Sequence, residues 1–168
     1  EMSLEYEKIL DENKDYKTGW LLEISSDIIH QDSSFISTAT TIFTFTGGAH
    51  PNSMQVYRSY DLTTGKVLEL GDILVEGYEE ELNKLAEIEF RMDKQIPPNE
   101  PLEEQGYFFE DGKFQLNTNF AIMNKSILFY YNAYEIGPYA MGPTELELKL
   151  TDYVSLIKPS GVIRDLKN

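Results

Sequence analysis

Residues 35–60 read FISTATTIFTFTGGAHPNSMQVYRSY, and this stretch decides the fold. From Phe35 to Phe45 the chain is rich in Thr, Ile and Phe. Phe35, Ala39, Phe43 and Phe45 share one parity, and Thr38, Thr40 and Thr44 the other. That is the pattern of a half-buried antiparallel strand with one polar face. Thr46 to Asn52, TGGAHPN, interrupts it: Gly47, Gly48 and Pro51 mark backbone that needs left-handed or fixed dihedrals. A second strand runs from Met54 to Tyr60. A chain that must stop and reverse within TGGAHPN predicts positive φ at Gly47 or Gly48.

Upstream, Leu4, Ile9 and Leu10 in a Glu- and Lys-rich run suggest the end of a helix over 3–12. Trp20, Leu22 and Ile24 alternate with Leu21, Glu23 and Ser25, which predicts a strand over 20–29 before a turn at Asp32-Ser33-Ser34. Downstream, Asp61 to Lys66 reads as a hairpin turn with Gly65 at positive φ, followed by a short return strand over 67–70. Residues 78–93 form the strongest helical pattern. Leu82, Leu85, Ala86 and Phe90 lie on one face with Ile88 and Met92 beside it, and Glu79, Glu80 and Glu81 sit in the first turn. Ile96-Pro97-Pro98 ends that helix. Strands follow over 114–122, 126–132 and 144–150. The last two are separated by a second turn-rich segment, Asn132 to Pro143, NAYEIGPYAMGP, with Gly137, Pro138 and Gly142 as its turn residues. A short helix is expected over 152–157. The fold class is α+β: an antiparallel β meander with one main helix packed on a face of the sheet and a short C-terminal helix.

The chain has 168 residues and a net charge of -15, with 41% hydrophobic and 12% aromatic residues. This is a globular composition. Its acidity excludes nucleic acid as a partner, because that binding needs clustered Lys and Arg. It favours solubility and attraction to a basic partner. With no cysteine, disulfides, zinc thiolates and thiol catalysis are excluded. No apolar run approaches the roughly 20 residues of a membrane span. The chain starts Glu1-Met2-Ser3, as a fragment or a chain with a removed leader would.

His30 and His50 are the only histidines. With Asp27, Asp32 or Asp61 they would make a metal site only if the fold gathered them, and their spacing lacks the usual clustering. No metal or cofactor is expected, and His50 is expected to anchor its turn. Gly47-Gly48 has no flanking basic residue and reads as a tight turn rather than an anion nest. Glu135 would need Asp61 or Glu110 beside it to work as a carboxylate pair. In a strand Phe129 and Tyr131 share a face and Tyr130 takes the other. Tyr134 and Tyr139 lie in the loop, where exposed tyrosines stack on sugars or anchor protein partners. The candidate ligand-binding residues are therefore Tyr134, Tyr139, Glu135 and His50.

The succession of TGGAHPN, YDLTTGKVLELGDIL, the helix, FQLNTNFAIMNKSILFYYNAYEIGPYAMG and ELELKL resembles the C-terminal domain of RsiV-type anti-sigma factors, the domain of unknown function 3298. The resemblance runs from about Trp20 to Ile157. Residues 1–60 resemble the end of a companion domain, the domain of unknown function 4163, and 61–168 the RsiV-like domain; the two are expected to form one compact unit. Similar domains occur in bacterial lipoproteins and beside some peptidoglycan deacetylases. The resemblance implies a location outside the cytoplasmic membrane, and in the RsiV branch it implies binding to lysozyme, a basic protein. It leads to the expectation of a non-catalytic extracytoplasmic module that binds a basic protein or a cell-wall glycan. The alternative is an envelope enzyme acting on peptidoglycan. The paired histidines and metal-binding aspartate of the deacetylases have no counterpart here.

Overall fold

A computed structural model describes residues 2–163. Helix α1 spans Met2–Glu12. Strands β1 (Leu21–Gln31), β2 (Phe35–Phe45) and β3 (Asn52–Asp61) form an antiparallel sheet in the order β1-β2-β3. Helix α2 (Leu70–Ile73) and helix α3 (Glu79–Lys94) follow. Strands β4 (Phe120–Ile122), β5 (Ser126–Tyr131) and β6 (Thr144–Lys149) build a second antiparallel meander. The α+β class and the helix on a sheet hold as expected.

The turns form for local reasons. Asp32 Oδ1 accepts the N–H groups of Ser34 and Phe35, which closes the β1–β2 hairpin. Asp61 Oδ1 does the same for Thr63 and Thr64, and Gly65 takes φ +70°. The return strand expected over 67–70 shrinks to a single bridge, Tyr60 to Val67. Leu70 already begins α2, which starts where Asp72 Oδ2 accepts the Glu69 N–H.

Helix α3 buries Leu82, Ala86 and Phe90, one residue per turn. Ile88 and Met92, expected near that face, are exposed instead. Arg91 pairs with Glu87 and donates to Pro97 O and Glu100 O, so it clamps the proline loop to the helix end. Phe109 and Phe114 pack on Phe90 of α3, and Phe129, Tyr131, Leu146 and Leu148 belong to the same main core. The C-terminal helix takes the form of two 3-10 turns, Leu150–Asp152 and Val154–Leu156.

The strand expected over 114–122 is paired only from Phe120. The reason is where its backbone hydrogen bonds go. Leu116 N–H donates to Asn83 Oδ1, Gln115 O accepts the Tyr131 hydroxyl, and Asn119 N–H donates to Asn117 Oδ1. Side chains make these bonds, and the neighbouring strand joins only at Asn119 O, which accepts Tyr130 N–H.

The two sheets meet through a small cluster, Ala39 and Tyr57 from the first against Ala121 and Tyr130 from the second. Beside it, Ile122 N–H donates to Ser59 Oγ (2.8 Å), and Ser37 Oγ donates to Ile122 O (2.5 Å). Ser59 Oγ then donates to Ser37 Oγ at 2.7 Å, which closes a buried ring through the N–H and C=O of one residue.

Candidate functional site

The site is built where TGGAHPN meets NAYEIGPYAMGP. Gly47 has φ +81°, and a Cβ there would overlap the Tyr16 hydroxyl. Tyr16 in turn receives Trp20 Nε1–H at 3.0 Å, and Tyr6 of α1 packs against both rings. Gly48 has neither a positive φ nor a neighbour within 4 Å. The expected turn is thus assigned to Gly47. Gly47→Ala should lower stability by about 2 kcal/mol, from the dihedral and from displacing Tyr16. Gly48→Ala should leave thermal unfolding within about 0.5 kcal/mol. Equal shifts of the two melting curves would contradict this assignment.

The second loop is fixed to the first sheet by asparagines. Asn132 Oδ1 accepts Gln55 N–H (2.7 Å) and its Nδ2 donates to Gln55 O (3.1 Å). Asn119 Oδ1 accepts Tyr57 N–H (2.7 Å), and its Nδ2 donates to Gln55 O and Tyr130 O, both at 2.9 Å. Two side-chain amides therefore stand in for a neighbouring strand along the outer edge of β3. Asn117 Nδ2 adds bonds to Tyr130 O and Glu135 Oε1. These asparagines were not singled out from the sequence. The signal was there: Asn117-Thr118-Asn119 places two poor strand formers inside an apparent strand.

This fixation brings His50, Tyr139 and Tyr134 together. The rings of His50 and Tyr139 stack at 4.4 Å and 17°, and those of Tyr139 and Tyr134 at 5.3 Å and 29°. Tyr134 is 56% and Tyr139 43% exposed, so the stack faces solvent. His50 Nδ1 lies 2.9 Å from Pro51 O, so Nδ1 carries the proton and the ring is held to its own loop. Pro138 leads into a 3-10 turn, Tyr139–Met141, and Gly142 closes it at φ 70°, ψ -169°, a region open essentially to glycine alone. Gly137 packs its bare Cα side against Met141 Sδ.

Tyr134 itself has φ +70°, a left-handed conformation that costs a non-glycine residue about 1–2 kcal/mol. Glu135 holds it there. Its Oε2 accepts Asn132 N–H (2.8 Å) and its Oε1 accepts Asn117 Nδ2 (2.7 Å). The Glu135 carboxylate is a clip within the loop. Asp61 stands six residues along β3 from Gln55, about 20 Å away at the usual strand rise, so the Glu135–Asp61 pair does not assemble. Glu110 lines a cleft beside α3 with Glu80 and Glu87. His30 packs on Phe35 where β1 and β2 begin their hairpin, and His50 lies past the other end of β2, so the two histidines are not brought together.

The electrostatics are those of packing. Burial, and after it the hydrogen bond to Glu145, pushes the Tyr57 hydroxyl up. Burial also raises Tyr131 and Tyr153. Hydrogen bonds from Thr64 and Thr63 hold Asp61 down, and the Lys84 partner does so for Glu80. Among the described residues no helix is long and apolar enough to cross a membrane.

Two antiparallel meanders joined edge to face, with a solvent-facing ring stack at the junction, define an α+β domain with a loop-built surface. Residues 71–151 carry a domain matching the family described as Protein of unknown function (DUF3298). In fold the chain is similar to a DUF3298-family protein from Bacteroides fragilis NCTC 9343, with 27% identity and a TM-score of 0.82 over 99% of this chain and 66% of that one. It is also similar to a DUF3298 family protein from Pseudomonas aeruginosa PAO1, with 24% identity and a TM-score of 0.71 over 94% of this chain and 70% of that one. The second likeness is one of fold alone. The chain spans just under two thirds of the length of the Bacteroides protein. No curated protein matches the chain.

Proposed function

We propose that this chain is a non-catalytic ligand-binding or sensor module of the bacterial cell envelope, placed outside the cytoplasmic membrane, and that it takes a basic protein of the lysozyme kind on the His50–Tyr139–Tyr134 surface. The observation that carries this reading is the exposed three-ring stack held on a strained, clipped loop. Met141 and Phe108 add exposed apolar area beside it, since Phe108 N–H bonds Ile136 O in the same loop. Tyr, Phe and Met are the residues enriched at the buried centres of protein interfaces. The charge of -15 supplies long-range attraction to a cationic partner. The resemblance to RsiV-type domains motivates lysozyme as the partner.

Calorimetric titration with lysozyme tests this. Affinity should fall steeply as salt rises, because exposed charges are screened over about 8 Å at physiological ionic strength. Tyr139→Ala, which removes the middle ring, should cost about 2 kcal/mol, roughly 30-fold, at every salt concentration, and Tyr134→Ala about 1 kcal/mol. No complex at about 100 μM protein would reject lysozyme. Binding of soluble peptidoglycan fragments that is lost in Tyr139→Ala would then assign the same surface to a glycan.

A further inference from the structure

The outer edge of β3 changes its cover part-way along. Asn119 takes Tyr57 N–H on one side, and Leu68 N–H takes Ser59 O on the other. Between them Tyr57 O is left to Arg58, whose own side chain turns back to donate Nη1 at 2.8 Å. A cleft of about 470 Å³ opens there, lined from β3, from residues 67–71, from Tyr78 and Glu79 at the start of α3, and from Thr118 and Phe120. Its size is that of a small-ligand site, for which about 300–1,000 Å³ is usual.

The lining divides into an apolar body and two kinds of charge. Leu68 and Phe120 are buried, Leu70 and Tyr78 half-buried, and these supply the apolar surface. Arg58 is the cation of the cleft. Of the two arginines among the described residues, Arg91 pairs with Glu87, while Arg58 makes no ion pair there. The bond to Tyr57 O fixes the guanidinium and leaves Nε and Nη2 for a ligand. A carboxylate fits that fork with two parallel bonds. Glu69 and Glu79 are the anions. Burial, and after it the charges of Glu79 and Glu69, push the Tyr78 hydroxyl up, so both carboxylates lie toward Tyr78. Arg58 pairs with neither of them, so the positive and negative ends of the cleft stand apart.

We propose that this cleft binds a short peptide with free ends, two or three apolar residues long, with its C-terminal carboxylate on Arg58 and its N-terminal ammonium at Glu69 and Glu79. A carboxylate alone would meet two negative charges for one positive. An amine alone would leave the Arg58 fork unused. A zwitterion satisfies both ends. A single amino acid carries its two charges on one carbon, whereas a peptide separates them by about 3.5 Å per residue. Leu68, Leu70 and Phe120 then receive the side chains, whose removal from water supplies most of the affinity while the charges set the orientation. Arg58 stands six residues along β3 from Asn52, about 20 Å from the loop that carries His50. This site and the ring stack are therefore different surfaces, and the two readings fail separately.

The test is an NMR titration of the isotope-labelled 168-residue protein with the tripeptide Ala-Leu-Ala up to about 10 mM, a range that registers millimolar affinity. The expected result is saturable shifts of the amides of residues 57–58, 67–71 and 118–120, with those of His50 and Tyr139 unmoved. Acetylating the amino end or amidating the carboxyl end of the peptide should each weaken binding about tenfold, the usual worth of a charged hydrogen bond. Free leucine should bind more weakly than the tripeptide. Arg58→Gln, at an exposed position, should weaken the free-acid peptide about tenfold and leave the amidated one unchanged. Glu69→Gln combined with Glu79→Gln should do the same for the free and acetylated amino ends. The capped peptides probe both ends on the unmodified protein, so the outcome does not depend on how a variant folds. No saturable shift at the cleft, or binding indifferent to both caps, would overturn the proposal. Free leucine bound as tightly as the tripeptide would overturn it too, since the two charged ends would then not be held apart.

Discussion

Asn119→Ala will lower the stability of the protein by about 3 kcal/mol and its melting temperature by roughly 10 °C. One amide serves three backbone groups: it accepts from Tyr57 N–H and donates to Gln55 O and Tyr130 O. No other strand reaches Tyr57 N–H, so alanine leaves that donor unpaired at a half-buried joint, while Gln55 O keeps Asn132 Nδ2 and Tyr130 O keeps Asn117 Nδ2. A donor left unpaired costs about 1–3 kcal/mol when buried, and the two lost carbonyl bonds add to it. Asn119→Asp separates the roles. A carboxylate still accepts from Tyr57 but cannot donate to either carbonyl, and its charge is repelled by theirs, so it should be no better than alanine. Asn13, whose side chain accepts one exposed N–H from Asp15, provides the control and should tolerate alanine within about 0.5 kcal/mol. Urea unfolding of the three variants gives the comparison; a loss under about 1 kcal/mol for Asn119→Ala would mean that the amide is not what holds the sheets in register.

The buried hydroxyl ring around Ile122 should respond nearly as strongly. Ser59→Ala removes the acceptor of a fully buried N–H and one partner of Ser37, a loss of about 2–3 kcal/mol. Ser37→Ala strips the donor to Ile122 O and the acceptor of the Ser59 hydroxyl; a carbonyl and a rotatable hydroxyl tolerate such a loss better than an N–H, so about 1–2 kcal/mol is expected. Because the two hydroxyls belong to one ring, the double variant should lose less than the sum of the singles. A double-mutant cycle read by denaturant midpoints measures that coupling. Strict additivity would show that the two serines act independently.

The elements legible in the sequence are those whose pattern is set by one burial face. β2 spans Phe35–Phe45 as alternation predicted, and α3 lies within a residue of its expected limits. β5 and β6 are present, each one residue shorter. Where the backbone bonds to side chains, periodicity has nothing to report: Phe114 to Thr118 looks like a strand by composition and pairs with no strand. The site was half legible. Loop tyrosines and His50 stood out because no core needed them, and they do meet. Their stacking depends on Asn119 and Asn132 reaching Gln55 across 64 and 77 residues, which no local pattern encodes. Glu135 was named for its charge, yet its oxygens are spent on the loop that shapes Tyr134.

The joint between the sheets also sets an order of assembly. The contacts that close it, Ser37 to Ile122, Ser59 to Ile122 and Asn119 to Tyr57, join residues 85, 63 and 62 positions apart. The hairpins on either side connect residues that are neighbours along the chain. Short loops close early and cheaply, long ones late, so each meander can form before the two are docked. Until docking, the stretch of β3 around Gln55 and Tyr57 stays open, although Leu68 and Lys66 already cover its far end. The interval before docking is therefore the one in which the chain is most prone to pair with the wrong strand.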